Sequence, residues 1–213
     1  TVIEVQQIGW VQTVPPLPGF YSVNVSSGQN VTGKIFANYQ LGSISGAVFE
    51  DMNGDGLKDN GEPGLVSWKI KISGSRNDSI NSDGNGNFVF TNLSPGSYTV
   101  SEVLQNNFIQ TKPLSPNTYT IGLTSGQNFT AVDIGNFENS SVSAVVYLDN
   151  NGNGTKDIGE DGLSDWKVLI NGAMDDSIAT DADGLFDFLT LKPGSYTLSE
   201  ELQSFWARTF PEN

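Results

Sequence analysis

The chain has 213 residues, 24 acidic against 10 basic side chains, and neither cysteine nor histidine, for a formal net charge of −14. That charge argues against nucleic acid or an anionic membrane as a partner, and the missing cysteines exclude disulfides. With no histidine or cysteine there is no Ser-His or Cys-His nucleophile and no His-ligated zinc, so the sequence reads as a non-enzyme.

About 100 residues suit one small core, so the length fits roughly two domains. Glycine, proline and short apolar runs point to an all-β class. No run of 18 apolar residues is present to form a membrane-spanning helix. The opening TVIEVQQIGW lacks a basic start and an apolar signal core, so the chain reads as a mature piece or part of something longer.

In chain order, the first forty residues already belong to a repeat. EVQQIGWVQTVPPLP (4 to 18) aligns with EVLQNNFIQTKPLSP (102 to 116), and SSGQNVT (26 to 32) with TSGQNFT (124 to 130). The same shift of 98 residues carries SISGAVFEDMNGDGLKDNGE (43 to 62) onto SVSAVVYLDNNGNGTKDIGE (141 to 160). NLSPGSYTVSE (92 to 102) falls on TLKPGSYTLSE (190 to 200) without a gap. Such self-similarity signals tandem modules. Residues 1–42 read as the end of one module, 43–140 as a whole module, and 141–213 as the beginning of another.

Within the whole module, SISGAVF is a first strand that ends at an acidic loop. In VSWKIKIS, Val66, Trp68, Ile70 and Ile72 alternate with polar residues, the period of a half-buried strand, and Trp166, Val168 and Ile170 repeat it. Phe88 and Phe90, matched by Phe186 and Phe188, follow a Gly-Asn turn. Pro95-Gly96 turns the chain so that Tyr98 and Val100 point inward, matched by Tyr196 and Leu198. NTYTIGL and QNFTAVDIGNF close the module. Seven or so short strands with turns every 8 to 12 residues describe a β-sandwich.

Two loops carry candidate chemistry. Residues 51–62 fit D-x-[DN]-x-[DN]-G-x5-E at every specified position. Alternate residues at positions 1, 3 and 5 direct oxygens to one centre, the carbonyl of residue 7 follows, and a Glu at position 12 closes the shell. The ligands expected for calcium are therefore Asp51, Asn53, Asp55, the Leu57 carbonyl, Asp59 and Glu62, with Gly56 at the turn. In the second copy they are Asp149, Asn151, Asn153, the Thr155 carbonyl, Asp157 and Glu160, with Gly154 at the turn. Strand patterns on both sides of each loop place the ion in a strand connection rather than between EF-hand helices. Other recurrent acids, Asp78/Asp176, Asp83/Asp181 and Glu102/Glu200, lie at turns or strand ends with no evident partner. Asp83 and Asp181 read as turn residues.

VFEDMNGDGLKDNGEPGL followed by SDGNGNFVFTNLSPGSYTV resembles the calcium-binding B-repeats of serine–aspartate repeat surface proteins, the SdrD B-like domains, relatives of collagen-adhesin B-type modules. The resemblance covers 43 to 140 fully and 141 to 213 for the part present. It implies tandem prealbumin-like, Greek-key sandwiches in a rod-like extracellular stalk stiffened by calcium. Some relatives carry Lys–Asn isopeptide bonds from a first-strand lysine, and SISGAVF and SVSAVVY have none.

Seven N-x-S/T sequons, at Asn24, Asn30, Asn77, Asn92, Asn128, Asn139 and Asn153, would accept N-glycans in a host with the machinery, Asn153 excepted as a ligand. Trp10, Phe108 and Trp206 recur at one module position and read as core or junction residues. The functional expectation is a structural, calcium-stabilised repeat of a surface fibre. Its neighbours are further repeats of the same polypeptide or copies joined head-to-tail by strand donation, with residues 18–42 completing 141–213. The alternative is an adhesin module that itself binds a carbohydrate or host protein. The equal-length copies favour the spacer, because they leave no inserted recognition loop.

Overall fold

The computed structural model describes residues 1–210, and no helix occurs among them. The segment 1–42 contributes short strands β1 (Val2–Ile3), β2 (Trp10–Val14), β3 (Phe20–Tyr21) and β4 (Ala37–Gln40). The middle of the chain forms β5 (Gly42–Glu50), β6 (Lys69–Gly74), β7 (Asp78–Asn81), β8 (Asn87–Leu93), β9 (Gly96–Glu102), β10 (Phe108–Lys112), β11 (Tyr119–Leu123) and β12 (Asn128–Glu138). After these come β13 (Ser140–Val145), β14 (Lys167–Gly172), β15 (Asp176–Ala179), β16 (Leu185–Leu191) and β17 (Tyr196–Glu200). The chain divides into two compact units, one holding Thr1–Asp51, Gly56–Gln105 and Gln110–Asn136, the other holding Met52–Asp55, Asn106–Ile109 and the chain from Phe137.

Strands β5 to β12 build two four-stranded sheets, in the orders β10-β12-β5-β8 and β11-β9-β6-β7. Alternation explains the inner faces. Ile70 and Ile72 on β6, Phe88 and Phe90 on β8, and Tyr98 and Val100 on β9 are all buried, while the residues between them are not. Strand β12 closes the module beside β5 in parallel pairing, Asn128 opposite Ser43 through Asn136 opposite Glu50. A bulge at Ala131, whose φ is 97°, lets Val132 and Ile134 turn into the core. The close approach of the two strands requires glycine, since a Cβ on Gly46 would lie 1.8 Å from the Val132 carbonyl oxygen.

The second copy repeats the first five strands in the same register. Ile70 opposite Glu102 becomes Val168 opposite Glu200, and Ile44 opposite Phe90 becomes Val142 opposite Phe188. Its core is Val168, Ile170, Phe186, Phe188 and Leu191. Among the described residues β13 pairs only with β16, and β17 only with β14. Tyr196 is therefore only half-buried and Leu198 is 40% exposed, where Tyr98 and Val100 are buried. The inward placement expected of that second pair is corrected accordingly.

Residues 1–42 echo the end of the module. Val2 pairs with Tyr21 as Val100 pairs with Tyr119, each partner displaced by 98. The alternation expected to begin at Val66 does not hold either. Val66 is exposed, Ser67 adopts a left-handed φ of 58° that breaks the strand, and β6 starts at Lys69.

Candidate metal loops and the buried carboxylates

Both acidic loops leave the first strand of their module and are pinched shut at the base by one bridge, Phe49 to Gly64 and Tyr147 to Gly162. The pinch is as tight as backbone allows. A Cβ on Gly64 or Gly162 would sit 1.9 Å from the carbonyl oxygen of Asn85 or Asp183. Inside the loops three hydrogen bonds recur position for position. The N–H of Gly56 and of Gly154 donates to Asp51 Oδ2 (2.7 Å) and Asp149 Oδ2 (2.8 Å). The N–H of Asp55 and of Asn153 donates to the side-chain oxygen of Asn53 and Asn151, each at 3.0 Å. The N–H of Asp59 and of Asp157 donates to Glu62 Oε2 (2.9 Å) and Glu160 Oε2 (3.0 Å). Gly56 and Gly154 take φ of 78° and 73°, the left-handed turn that position 6 of the pattern requires.

The carboxylates at positions 1 and 12 are thus oriented by backbone amides in both loops. Asp51 is buried, and Glu62 is half-buried. In the second loop Glu160 is buried, accepts N–H groups from Asn150 and Asp157, and takes no ion pair among the described residues. Asp149 is held below the ordinary carboxylate range, first by the Thr209 hydroxyl and then by the N–H groups of Gly154, Gly152 and Asn153. Asn151 and Asn153 instead turn their amide N–H groups onto Asp157 Oδ2, at 2.8 and 2.9 Å. The side chains of Leu57 and Thr155 are exposed, and Leu57, which has no donor atom in its side chain, has only its carbonyl to offer an ion. Among the described residues no three acidic side chains gather closely enough to grip an ion alone. The pattern takes its remaining oxygens from asparagine and main-chain carbonyls. The donor set is all oxygen, and it includes the buried carboxylates of Asp51 and Glu160, each accepting backbone N–H groups, which fits a hard cation such as calcium.

The other recurrent acids find partners that the sequence did not reveal. Asp83 Oδ1 accepts the N–H groups of Asn85 and Asn87, and Asp181 Oδ1 those of Asp183 and Leu185, all at 2.8–2.9 Å. These bonds make both residues turn formers and hold the Asp83 carboxylate low. Asp78 pairs with Arg76. Glu102 faces the core. Burial pushes it from 4.5 to about 7, against the opposing pull of hydrogen bonds from the Asn136 amide (2.9 Å) and the Trp68 indole. Its counterpart Glu200 is engaged by Arg208 instead, Nε to Oε1 at 3.0 Å.

Two buried hydroxyls also escaped sequence reasoning. Ser82 and Thr180 each accept from the backbone N–H of the tryptophan fourteen residues earlier, Trp68 and Trp166 (both 2.9 Å), and donate to the carbonyls of Leu65 and Leu163. They tie the segment after each acidic loop to the core, and their only sequence signal is a small hydroxyl residue before each Asp-x-x-Gly turn. The junction aromatics are not fully buried. Trp10 is 40% exposed, and Trp206, 38% exposed, packs edge-on to Trp166 with ring centroids 4.9 Å apart.

Two sandwich-type units, repeated in register and bearing glycine-turned acidic loops, define an all-β repeat module. The SdrD B-like domain model matches residues 42–128 and 140–211, and the chain belongs to that family. It is 29% identical over 205 residues to serine-aspartate repeat-containing protein F of Staphylococcus epidermidis (strain ATCC 12228 / FDA PCI 1200), covering 88% of this chain and 12% of that protein. It is 31% identical over 174 residues to serine-aspartate repeat-containing protein E of Staphylococcus aureus (strain Mu50 / ATCC 700699), covering 74% of this chain and 15% of that one. The chain therefore spans less than a sixth of these relatives. Among solved structures, the Bacillus anthracis TIE protein aligns over 80% of this chain and 30% of its own, at 16% identity and a TM-score of 0.44. A streptococcal ancillary pilin aligns over 75% of this chain and 53% of its own, at 15% identity and a TM-score of 0.38. Family membership makes this a non-enzymatic module of an extracellular, cell-surface protein.

Proposed function

We propose that the chain is a calcium-stabilised spacer of a surface stalk or filament, each module holding one ion in its acidic loop. The observation that carries this reading is the threefold hydrogen-bond frame common to 51–62 and 149–160, which aims the carboxylates of positions 1 and 12 before any ion arrives. Ordering twelve loop residues costs on the order of 12 to 24 kcal/mol of backbone entropy. The apolar side chains of the loops, Met52, Leu57 and Ile158, are exposed and do little to offset that cost, and a cation offsets both it and the repulsion among the carboxylates. The ligands are Asp51, Asn53, Asp55, Leu57, Asp59 and Glu62 in one loop, and Asp149, Asn151, Asn153, Thr155, Asp157 and Glu160 in the other. Calorimetric titration of the chelator-treated chain with calcium tests this, and two saturable sites are expected. No heat, or no loss of heat in Glu62→Ala and Glu160→Ala variants, would end the proposal.

The modules join to further modules by strand addition, with residues 18–42 of one copy completing residues 141 onward of the next, head-to-tail. Supporting this are apolar surfaces on both sides of such a joint. Phe20, Val25 and Ile35 are exposed in the donor, as are Leu198, Leu202 and Phe205 in the acceptor. Removing residues 1–42 should abolish self-association, and added peptide 18–42 should bind the intact acceptor module. Ordered filaments from the shortened chain would contradict it. The exposed sequon residues Asn24, Asn30, Asn77, Asn92 and Asn128 are the positions proposed for N-glycans where the host makes them.

A further inference from the structure

Six asparagines of the chain are followed by glycine: Asn53, Asn60, Asn85, Asn151, Asn153 and Asn171. Such a pair is chemically labile, because glycine has no Cβ to keep its main-chain nitrogen away from the carboxamide carbon of the residue before it. The fold restrains five of the six. The N–H groups of Gly152 and Gly154 donate to the two carboxylate oxygens of Asp149, at 2.7 and 2.8 Å. Gly172 donates to Asp175 Oδ1 at 3.1 Å, and the buried Gly86 to the Asp83 carbonyl at 3.0 Å. Asn53 is held at its side chain, where the carboxamide oxygen takes the Asp55 N–H at 3.0 Å and the amide faces Asp55 Oδ2 at 3.3 Å. Asn60 and Gly61 have none of these restraints among the described residues. Both are exposed, and a Cβ on Gly61 would meet nothing within 4 Å.

We propose that Asn60 is the chain's principal site of spontaneous deamidation, and that the reaction opens the end of the first acidic loop. The Gly61 nitrogen attacks Asn60 Cγ and gives up its proton to water or hydroxide, and the Cγ–Nδ2 bond breaks to release ammonia. The resulting succinimide takes up water. Opening at Cγ gives aspartate, and opening at the main-chain carbonyl gives isoaspartate. The net exchange is water for ammonia, with no redox step.

The position of the pair gives the reaction its consequence. Asn60 and Gly61 are the central residues of a turn closed by the Glu62 N–H on the Asp59 carbonyl at 3.3 Å, with the Asp59 N–H on Glu62 Oε2 at 2.9 Å. Isoaspartate routes the main chain through Cβ and Cγ, which lengthens the path inside this turn and pulls Glu62 out of its frame. The second loop has the same turn without the reactive side chain. There the Glu160 N–H donates to the Asp157 carbonyl at 3.3 Å and the Asp157 N–H to Glu160 Oε2 at 3.0 Å. Gly159 has a φ of 92° against 102° for Gly61, but the residue before it is Ile158. Two loops of one frame therefore differ in chemical lifetime. The deamidation stands apart from the calcium reading above, and only its effect on ion binding rests on that reading.

Incubation of the full chain at mildly alkaline pH, followed by peptide mapping in a mass spectrometer and enzymatic methylation of isoaspartyl groups, measures each site. In the folded chain Asn60 is expected to convert about tenfold or more faster than Asn151, Asn153 or Asn171, whose glycine amides are held by carboxylates. In denaturant all six are expected to convert at comparable rates. Asn60→Ile should silence the first loop, and Ile158→Asn should create an equally fast site in the second. A folded chain that converts in the denatured pattern, or an Ile158→Asn chain whose new site stays intact, overturns the proposal. Calcium titration of the fully converted chain should show the first site lost and the second kept, and two intact sites would overturn the displacement of Glu62. No binding by the fresh chain overturns the calcium reading and leaves the deamidation site standing.

Discussion

The two copies of the module share five strands, their registers and one loop frame, and differ in what covers them. In the first, β11 and β12 roof the core, and Tyr98, Val100 and Glu102 are shut in. In the second, Tyr196, Leu198 and Glu200 occupy the same registers, Tyr196 packed half-buried against the core and Leu198 and Glu200 facing an open cavity, and the glutamate is held by arginine rather than by a core amide. The same residues are therefore shut in where β11 and β12 cover them, and more open where, among the described residues, no strand does. The loops differ in a second way. Asp51 is the buried anchor of the first and Glu160 of the second.

The contrast in roofing is broken most forcefully at the tyrosines. Tyr98→Ala should cost about 3 to 5 kcal/mol, the loss of a fully packed aromatic, and Tyr196→Ala clearly less, because its surroundings are already open. Denaturant unfolding of the two variants would show the difference, and equal losses would mean that Tyr196 is packed as closely as Tyr98.

Next in size is the effect of pH on Glu102. Its carboxyl is raised from 4.5 to about 7 on folding, so the folded state favours the protonated form. This group's contribution is greatest below pH 4.5, declines as pH rises from 4.5 to about 7, and is level above that. The decline is about 1.4 kcal/mol per pH unit at most, roughly 2 kcal/mol after allowance for solvent screening. Glu102→Gln should flatten that slope between pH 5 and 7 in thermal melts, and an unchanged slope would assign it elsewhere.

Calcium sharpens the loop comparison. Four carboxylates in 51–62 against three in 149–160 should make the first loop the tighter site. Chelation should lower stability by about 1 to 3 kcal/mol per occupied module, at free calcium ten to a hundred times the dissociation constant. Glu62→Ala and Glu160→Ala should each remove the chelator's effect on one melting step, and a chelator without effect on either would contradict the loop reading.

The smallest expected change is at the turns, where Asp83→Ala or Asp181→Ala should cost about 1 kcal/mol apiece, one lost acceptor for two exposed amides. Equal values in both modules are expected, because this turn is the same in each.

Much of this was legible in the chain itself. A gapless period fixes the strand registers, because strand alternation is local and two-residue periodic, and it put Phe88, Phe90, Phe186 and Phe188 inward as found. The acidic loops were legible because their pattern specifies glycine and carboxylate positions within twelve contiguous residues. The partners of Glu102, the buried hydroxyls of Ser82 and Thr180, and the bare face of Leu198 were not. Each depends on a strand or turn brought in from far along the chain, and Leu198 has the same neighbours in sequence as Val100. Sequence determined which residues point inward, and tertiary pairing alone decided which of those inward faces meet a partner, because burial depends on strands distant in sequence.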